Sequence, residues 1–300
     1  MANLPRVMKA GKFDPAKARF PYLASPKLDG IRATVRGGIV MSYGLEPIPN
    51  QFIQGRFGLR RNEGLDGELI VGAATGEGVF NRTTSVVMSF TKPIDDLTFH
   101  VFDDVCHPSD PYYRRLERLA DRVQGRFEAL KLVLHARLND AQELDIFETG
   151  CVEAGYEGIM LRDPQGPHKF GRSTVRENWL LKVKRFEDSE AEVIGWEEEW
   201  ANQNEKVTNA YGRVKRGSSK AGRVGKGTVG KLHLRDLQTG VDFWAGSGLS
   251  AAQRASLWAR VMADDNALMG DIWVYKHQPY GVKDKPRLPV LKGPRDKRDM

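Results

Sequence analysis

The chain has 300 residues, 40% of them hydrophobic, which suits two domains of roughly 190 and 110 residues rather than one. With 46 Lys and Arg against 39 Asp and Glu it carries a formal net charge of +7, so a polyanionic partner is favoured over an acidic surface. No run approaches the roughly 20 apolar residues of a membrane span, and two cysteines, Cys106 and Cys151, exclude a disulfide framework or a four-thiolate metal site. The N-terminus opens no basic-then-apolar signal segment, so the expected location is cytoplasmic.

In chain order, residues 22–41 read as a strand, a tight passage at Gly30, a second strand over 31–35 and a turn at Gly37-Gly38. A strand ending in Leu69-Ile70-Val71 follows, closed by Gly72, and then a short aromatic strand over 99–103. Residues 113–120, with Leu116 and Leu119 between charges, predict an amphipathic helix. Residues 149–156 form a short segment before Glu157, and 179–184 read as a strand with Lys182 and Lys184 on one face. A junction is expected over 187–193. Beyond it, Gly-rich turns separate strands near 229–234, 241–244 and 272–275, with one helix near 251–262, as in a small β-barrel.

The 206–235 stretch holds nine Lys and Arg residues and no Asp or Glu. Lys206, Arg213, Lys215, Arg216, Lys220, Arg223 and Lys226 lie among glycines at its start. This composition predicts a flexible arm that settles on a phosphate backbone, each cation releasing counterions.

Lys27 sits in Pro26-Lys27-Leu28-Asp29-Gly30. A lysine attacks only as the neutral amine, so cationic neighbours such as Arg32, Lys182 and Lys184, or a metal ion, would have to favour that form. Asp29 opposes this but can orient the amine. Alone, the tetrad is equally a turn lysine; it gains meaning from Asp66-Gly67-Glu68, from Phe99 and Phe102-Asp103, from Glu157-Gly158-Ile159-Met160-Leu161-Arg162, and from Leu181-Lys182-Val183-Lys184, in that order.

In this ordered set the sequence resembles the covalent nucleotidyltransferase superfamily, and within it the ATP-dependent DNA ligases of the small phage and viral type. Pro286-Arg287-Leu288-Pro289-Val290 with Arg295 resembles the motif of that family's C-terminal OB domain, so the likeness spans positions 27–295. It implies an α+β fold, with an adenylation domain of antiparallel sheets and helices over 1–188 and an OB-fold β-barrel over 189–300, the basic insertion near 206–227 included. It also implies ATP and Mg²⁺ (or Mn²⁺) as cofactors and nicked duplex DNA as partner, with a monomer acting in repair, replication or recombination and no obligate protein partner.

By the same likeness Lys27 is the nucleophile, and Asp29, Arg32, Glu68, Phe99, Glu157, Lys182 and Lys184 hold the nucleotide, with Phe99 the stacking face. Glu157, then Glu68, is expected at the metal, Glu68 also at the ribose, and Arg32 at a phosphate. Arg287, Arg295, Lys297 and Arg298 suit the outgoing pyrophosphate. One position departs from the family pattern: Ser42-Tyr43-Gly44 stands where such ligases show Ser-Arg, so either Arg56 or Lys92 substitutes or the phosphate grip is weaker there. RNA ligases and mRNA-capping guanylyltransferases use the same lysine chemistry, and a catalytically silent nick-binding protein is the reading from a different class.

Overall fold

The computed structural model describes residues 6–76, 78–125, 129–184, 186–208, 214–217, 219–282 and 285–295. The chain divides into two compact units, Met1–Lys184 and Arg185–Met300.

In the first unit the strands are β1 (Gly11–Lys12), β2 (Tyr22–Pro26), β3 (Ile31–Arg36), β4 (Ile39–Ser42), β5 (Leu65–Val71), β6 (Leu97–Asp104), β7 (Leu130–Leu132), β8 (Ala136–Leu138), β9 (Ile159–Arg162) and β10 (Leu180–Val183). The helices are α1 (Gln51–Phe57), α2 (Val79–Val87), α3 (Tyr112–Val123) and α4 (Ala141–Glu153). The α+β class expected from the sequence holds. Two five-stranded sheets form, ordered β1-β10-β9-β2-β8 and β4-β3-β5-β6-β7. Among the described strands β1–β10 and β6–β7 pair in parallel and the others antiparallel. α4 begins at Ala141, well before the expected 149, because Asp140 accepts a hydrogen bond from the Glu143 N–H and caps its first turn.

One core fills the β3–β7 sheet, with Val35, Ile53, Phe57, Leu69, Phe99 and Leu119 fully or nearly fully buried. A second lies under the other sheet, around Tyr22, Leu144, Leu161 and Leu181. The β5–β6 ladder slips beside the site: Asp66 faces Asp103 but Gly67 faces Val101, leaving Phe102 as the extra residue. Such a bulge re-aims a side chain.

In the second unit, β11 (Glu187–Asn202), β12 (Lys206–Thr208), β13 (Val214–Arg216), β14 (Arg223–Asp236), β15 (Asp242–Ala245), β16 (Ile272–Val282) and β17 (Lys285–Pro294) accompany α5 (Ala251–Ala263). The expected junction at 187–193 is thus the first half of β11, paired with β16 from Glu187 onward. An antiparallel sheet ordered β15-β14-β11-β16-β17 forms the body. The Leu291 N–H on β17 donates to the Ser247 carbonyl just past β15 (2.8 Å), bringing the two edges together. Ser250 and Gln253 close a capping box at the start of α5, whose Leu257 and Val261 enter a core with Val193, Phe243, Trp273 and Tyr275. Among the described residues no helix is long and apolar enough to cross a membrane.

Candidate active site

Lys27 follows β2 directly, and its backbone N–H donates to the Gly158 carbonyl (2.8 Å). That bond places Lys27 beside Glu157, and the two motif glycines make it possible. A Cβ on Gly30 would lie 2.2 Å from the Leu69 carbonyl oxygen. One on Gly158, which has φ 136°, would lie 2.3 Å from that of Val183. Only glycine tolerates both approaches. Glu157 then accepts from the Lys27 ammonium through one oxygen and from the Lys184 ammonium through the other, all three side chains being mostly buried.

A cavity of about 250 Å³ opens beside this trio, lined from both sheets of the unit. Phe102, Met160, Leu180 and Pro26 give it apolar walls; Lys9, Lys27, Arg32, Arg162, Lys182 and Glu68 give it charge. An apolar slot with converging cations suits a flat ring carrying an anionic tail. Burial would raise the Glu157 carboxyl, but Lys27 and Lys184 hold it below the usual range, so it stays ionised. Burial, with the Lys27 charge next, lowers Lys182, and lowers Lys184 to about 8. Burial pushes Glu68 up to about 7, against the pull of Lys27 and Arg32.

The structure therefore gathers Lys27, Glu68, Glu157, Lys182 and Lys184 at one place. Asp29 stands outside the cavity lining and acts on it through its charge, which helps raise Glu68.

Two expectations need correction. Phe99 cannot be the stacking face: it is fully buried, edge-on to Phe57 (5.5 Å between centroids), on the core side of β6. Residues three apart on a strand face opposite ways, so Phe102 turns to the cavity instead. Arg32 lines the cavity as a paired cation and not a free one. Its Nε and Nη2 donate to the buried Asp66 (2.9 and 2.6 Å), Nη2 donates also to the Met8 carbonyl (3.0 Å), and the guanidinium packs 5.0 Å from the Phe102 ring centre. Nor do the two substitutes named for the missing arginine reach the site. Arg56 Nη1 donates to the Ile94 carbonyl (3.1 Å) and Lys92 Nζ to Ser85 Oγ (2.5 Å), and neither lines the cavity.

Sequence reasoning did not find Lys9, Ser25 or His135 in the lining. Nor did it find the buried hub behind it, where Asp103 accepts from Arg115 Nε (2.8 Å), Arg162 Nη1 (2.9 Å) and His168 Nδ1 (3.1 Å). Arg115 has an ordinary place in an amphipathic helix pattern, and no local signal marks it as buried.

In the second unit, Lys206 and Arg216 are Cα partners on the β12–β13 hairpin. The acid-free run is not acid-free in space: β11 lies antiparallel to β14, so Glu199 pairs with Lys226 (2.5 Å) and Glu197 with Lys231 (2.9 Å). Lys206, Arg216, Lys220 and Arg223 are exposed and make no ion pair among the described residues. Arg295 pairs with Glu190. Arg213, Lys297 and Arg298 lie outside the described residues, as do the side chains of Lys215 and Arg287.

No family model and no curated protein sequence matches this chain. Solved structures do. The Chlorella virus DNA ligase-adenylate is 28% identical over 98% of this chain and 99% of its own, with a TM-score of 0.54. A Lig E DNA ligase, described as binding DNA with a minimal scaffold, is 25% identical over 97% of this chain and all of its own, with a TM-score of 0.71. Over nearly its full length the chain is similar in fold to small DNA ligases of the viral type.

Proposed function

We propose that the chain is an ATP-dependent DNA ligase that seals 5′-phosphate/3′-hydroxyl nicks in duplex DNA, with Met1–Lys184 as adenylation domain and Arg185–Met300 as OB domain. The observation that carries this reading is the placement of Lys27, hydrogen-bonded to Glu157, at the wall of a cavity with an aromatic face and converging cations. The Lys27 amine attacks the α-phosphorus of ATP, the new N–P bond replacing the bond to pyrophosphate. Glu157 is the group placed to take the proton Lys27 must lose. The AMP passes to the 5′-phosphate at the nick, and the 3′-hydroxyl displaces it. Each step is phosphoryl transfer, so the residues chiefly position groups and neutralise charge.

Among the described residues no group of three or more His, Cys, Asp or Glu side chains converges as a metal site. Two carboxylates with substrate phosphates are nonetheless the donor set Mg²⁺ takes, and Glu68 and Glu157 are the carboxylates that would hold it. An ion held there would neutralise phosphate charge.

Protein mixed with Mg²⁺ and ATP or GTP labelled at the α-phosphate is expected to retain label from ATP through denaturation, and Lys27→Ala is expected to retain none. Nicked DNA should then release the label as AMP and join the strands. Equal labelling of K27A, or none of the wild type, removes the ligase reading; preference for GTP turns it toward capping, and joining of RNA alone toward RNA ligase.

The exposed cations of the 206–227 segment are proposed to meet the DNA backbone. Replacing Lys206, Arg216, Lys220 and Arg223 together with Ala is expected to weaken nick binding and flatten the log-log salt dependence by about one unit of slope for each cation that reaches a phosphate. An unchanged slope leaves this segment a solvated loop.

A further inference from the structure

The cavity holds five cations, and three of them are already answered by carboxylates: Lys27 by Glu157, Arg32 by Asp66 and Arg162 by Asp103. Lys182 and Lys9 have no ion-pair partner among the described residues. Lys9 is the unexpected one, 18 residues ahead of Lys27 and exposed at the cavity rim. Its backbone is fixed on every side. The Lys9 N–H donates to the Gly171 carbonyl (2.7 Å), and its own carbonyl accepts from the Ser173 N–H (2.8 Å). The preceding residue is clamped harder: the Met8 N–H donates to His168 Nε2 (3.1 Å), and the Met8 carbonyl accepts from Arg32 (3.0 Å). His168 and Arg32 are themselves anchored on Asp103 and Asp66, both fully buried.

The side chain is supported as well. Lys9 Nζ stands 5.4 Å from the centre of the Tyr43 ring, and the Arg6 guanidinium 5.5 Å from the same centre. Two cations thus share one ring, and neither has an ion-pair partner among the described residues, so the charge at this rim is left for an anion to answer. Lys9 has its own backbone tied at both the N–H and the carbonyl, follows a clamped Met8, and rests on an aromatic ring at a cavity wall.

We propose that Lys9, held on the face of Tyr43, is a phosphate-binding residue of this cavity, taking a phosphate group of the nucleotide or the terminal phosphate of the polynucleotide. Tyr43 acts as its positioning residue, through the ring and not the hydroxyl. The site thus builds its rim cation from two residues, one on the N-terminal segment and one after β4. This rests on the proposed ligase reading for what the phosphate belongs to, but not for its being bound.

The variants are Lys9→Ala, Lys9→Arg, Tyr43→Leu and Tyr43→Phe, each checked for an unchanged melting temperature. One arm measures label transfer from ATP at limiting nucleotide. The other measures affinity for nicked duplexes bearing a 5′-phosphate or a 5′-hydroxyl. K9A is expected to lose about 10-fold or more in one arm, and which arm falls identifies the phosphate; K9R and Y43F should stay within about threefold of wild type. Y43L should weaken the same arm, and K9A/Y43L should be no worse than K9A, since the two act as a unit. The proposal is overturned if K9A matches wild type in both arms, if K9R falls as far as K9A, or if Y43F falls as far as Y43L. A wild type that neither labels nor joins defeats the ligase reading alone, because the phosphate-against-hydroxyl comparison still tests Lys9.

Discussion

Glu157→Gln is expected to lower the rate of lysine adenylation by 10²-fold or more while leaving joining of a preformed DNA-adenylate far less affected. The amide keeps an oxygen that can accept from Lys27, so the amine remains roughly in place. It cannot take a proton, and loss of a positioned base costs on the order of 10²–10⁴ in rate. A second effect opposes this. Glu157 is ionised because Lys27 and Lys184 hold it so, and removing its charge favours the neutral amine the attack requires. Proton acceptance is expected to dominate, because the oxygens of Glu157 are the acceptors the Lys27 and Lys184 ammonium groups share. The final attack of the 3′-hydroxyl on DNA-adenylate involves no bond to Lys27, which makes the loss selective for the first step. Single-turnover labelling with α-labelled ATP, beside joining of synthetic DNA-adenylate, checks it. Labelling by E157Q at the wild-type rate removes Glu157 as proton acceptor, and equal losses in both assays would point to a role both steps share, such as holding Mg²⁺, and not to proton acceptance.

How far the sequence already showed this site follows from what was local. Lys27, Glu68, Glu157 and the paired lysines were legible because each sits within three residues of a glycine or in or beside a strand, and their chain order matched a known pattern. The choice between Phe99 and Phe102 was not. It depends on which face of β6 meets Phe57 of α1 and on the one-residue slip against β5, both set by residues about 35 to 45 positions away. The basic run misled in the same way, since the glutamates that pair with Lys226 and Lys231 belong to β11, some 30 positions earlier. Lys9 was invisible for a further reason: its partners Tyr43 and Gly171–Ser173 come from two distant stretches, and no spacing rule links them. The domain core patterns, by contrast, were set by strand alternation, and the strands read over 31–35, 99–103 and 229–234 fall within β3, β6 and β14.

Asp103→Asn is expected to destabilise the first unit by about 3–5 kcal/mol at neutral pH, the range for breaking a buried ion pair by removing one partner. Asp103, Arg115 and His168 are fully buried and Arg162 is nearly so, hence neither guanidinium can turn to water when the charge opposite disappears. Burial alone would raise the Asp103 carboxyl; Arg162, the His168 hydrogen bond and Arg115 instead hold it well below the usual range. The sign of the pH dependence follows. A carboxyl depressed on folding adds stability that is complete above its unfolded pKa of about 3.9 and declines as pH falls toward the folded value. The gap between wild type and D103N should therefore be widest near neutrality and narrow in acid. Urea unfolding of both proteins at pH 7 and near pH 3 measures it, and a loss below about 1 kcal/mol at pH 7 would show that the hub relaxes or admits water. The consequence reaches the cavity rim. Asp103 anchors His168, His168 accepts from the Met8 N–H, and Met8 fixes Lys9. D103N should accordingly weaken the phosphate step that Lys9 serves at temperatures where the protein is still folded, and Lys9→Arg should not restore it, because the defect lies in where the backbone holds the charge and not in the charge itself.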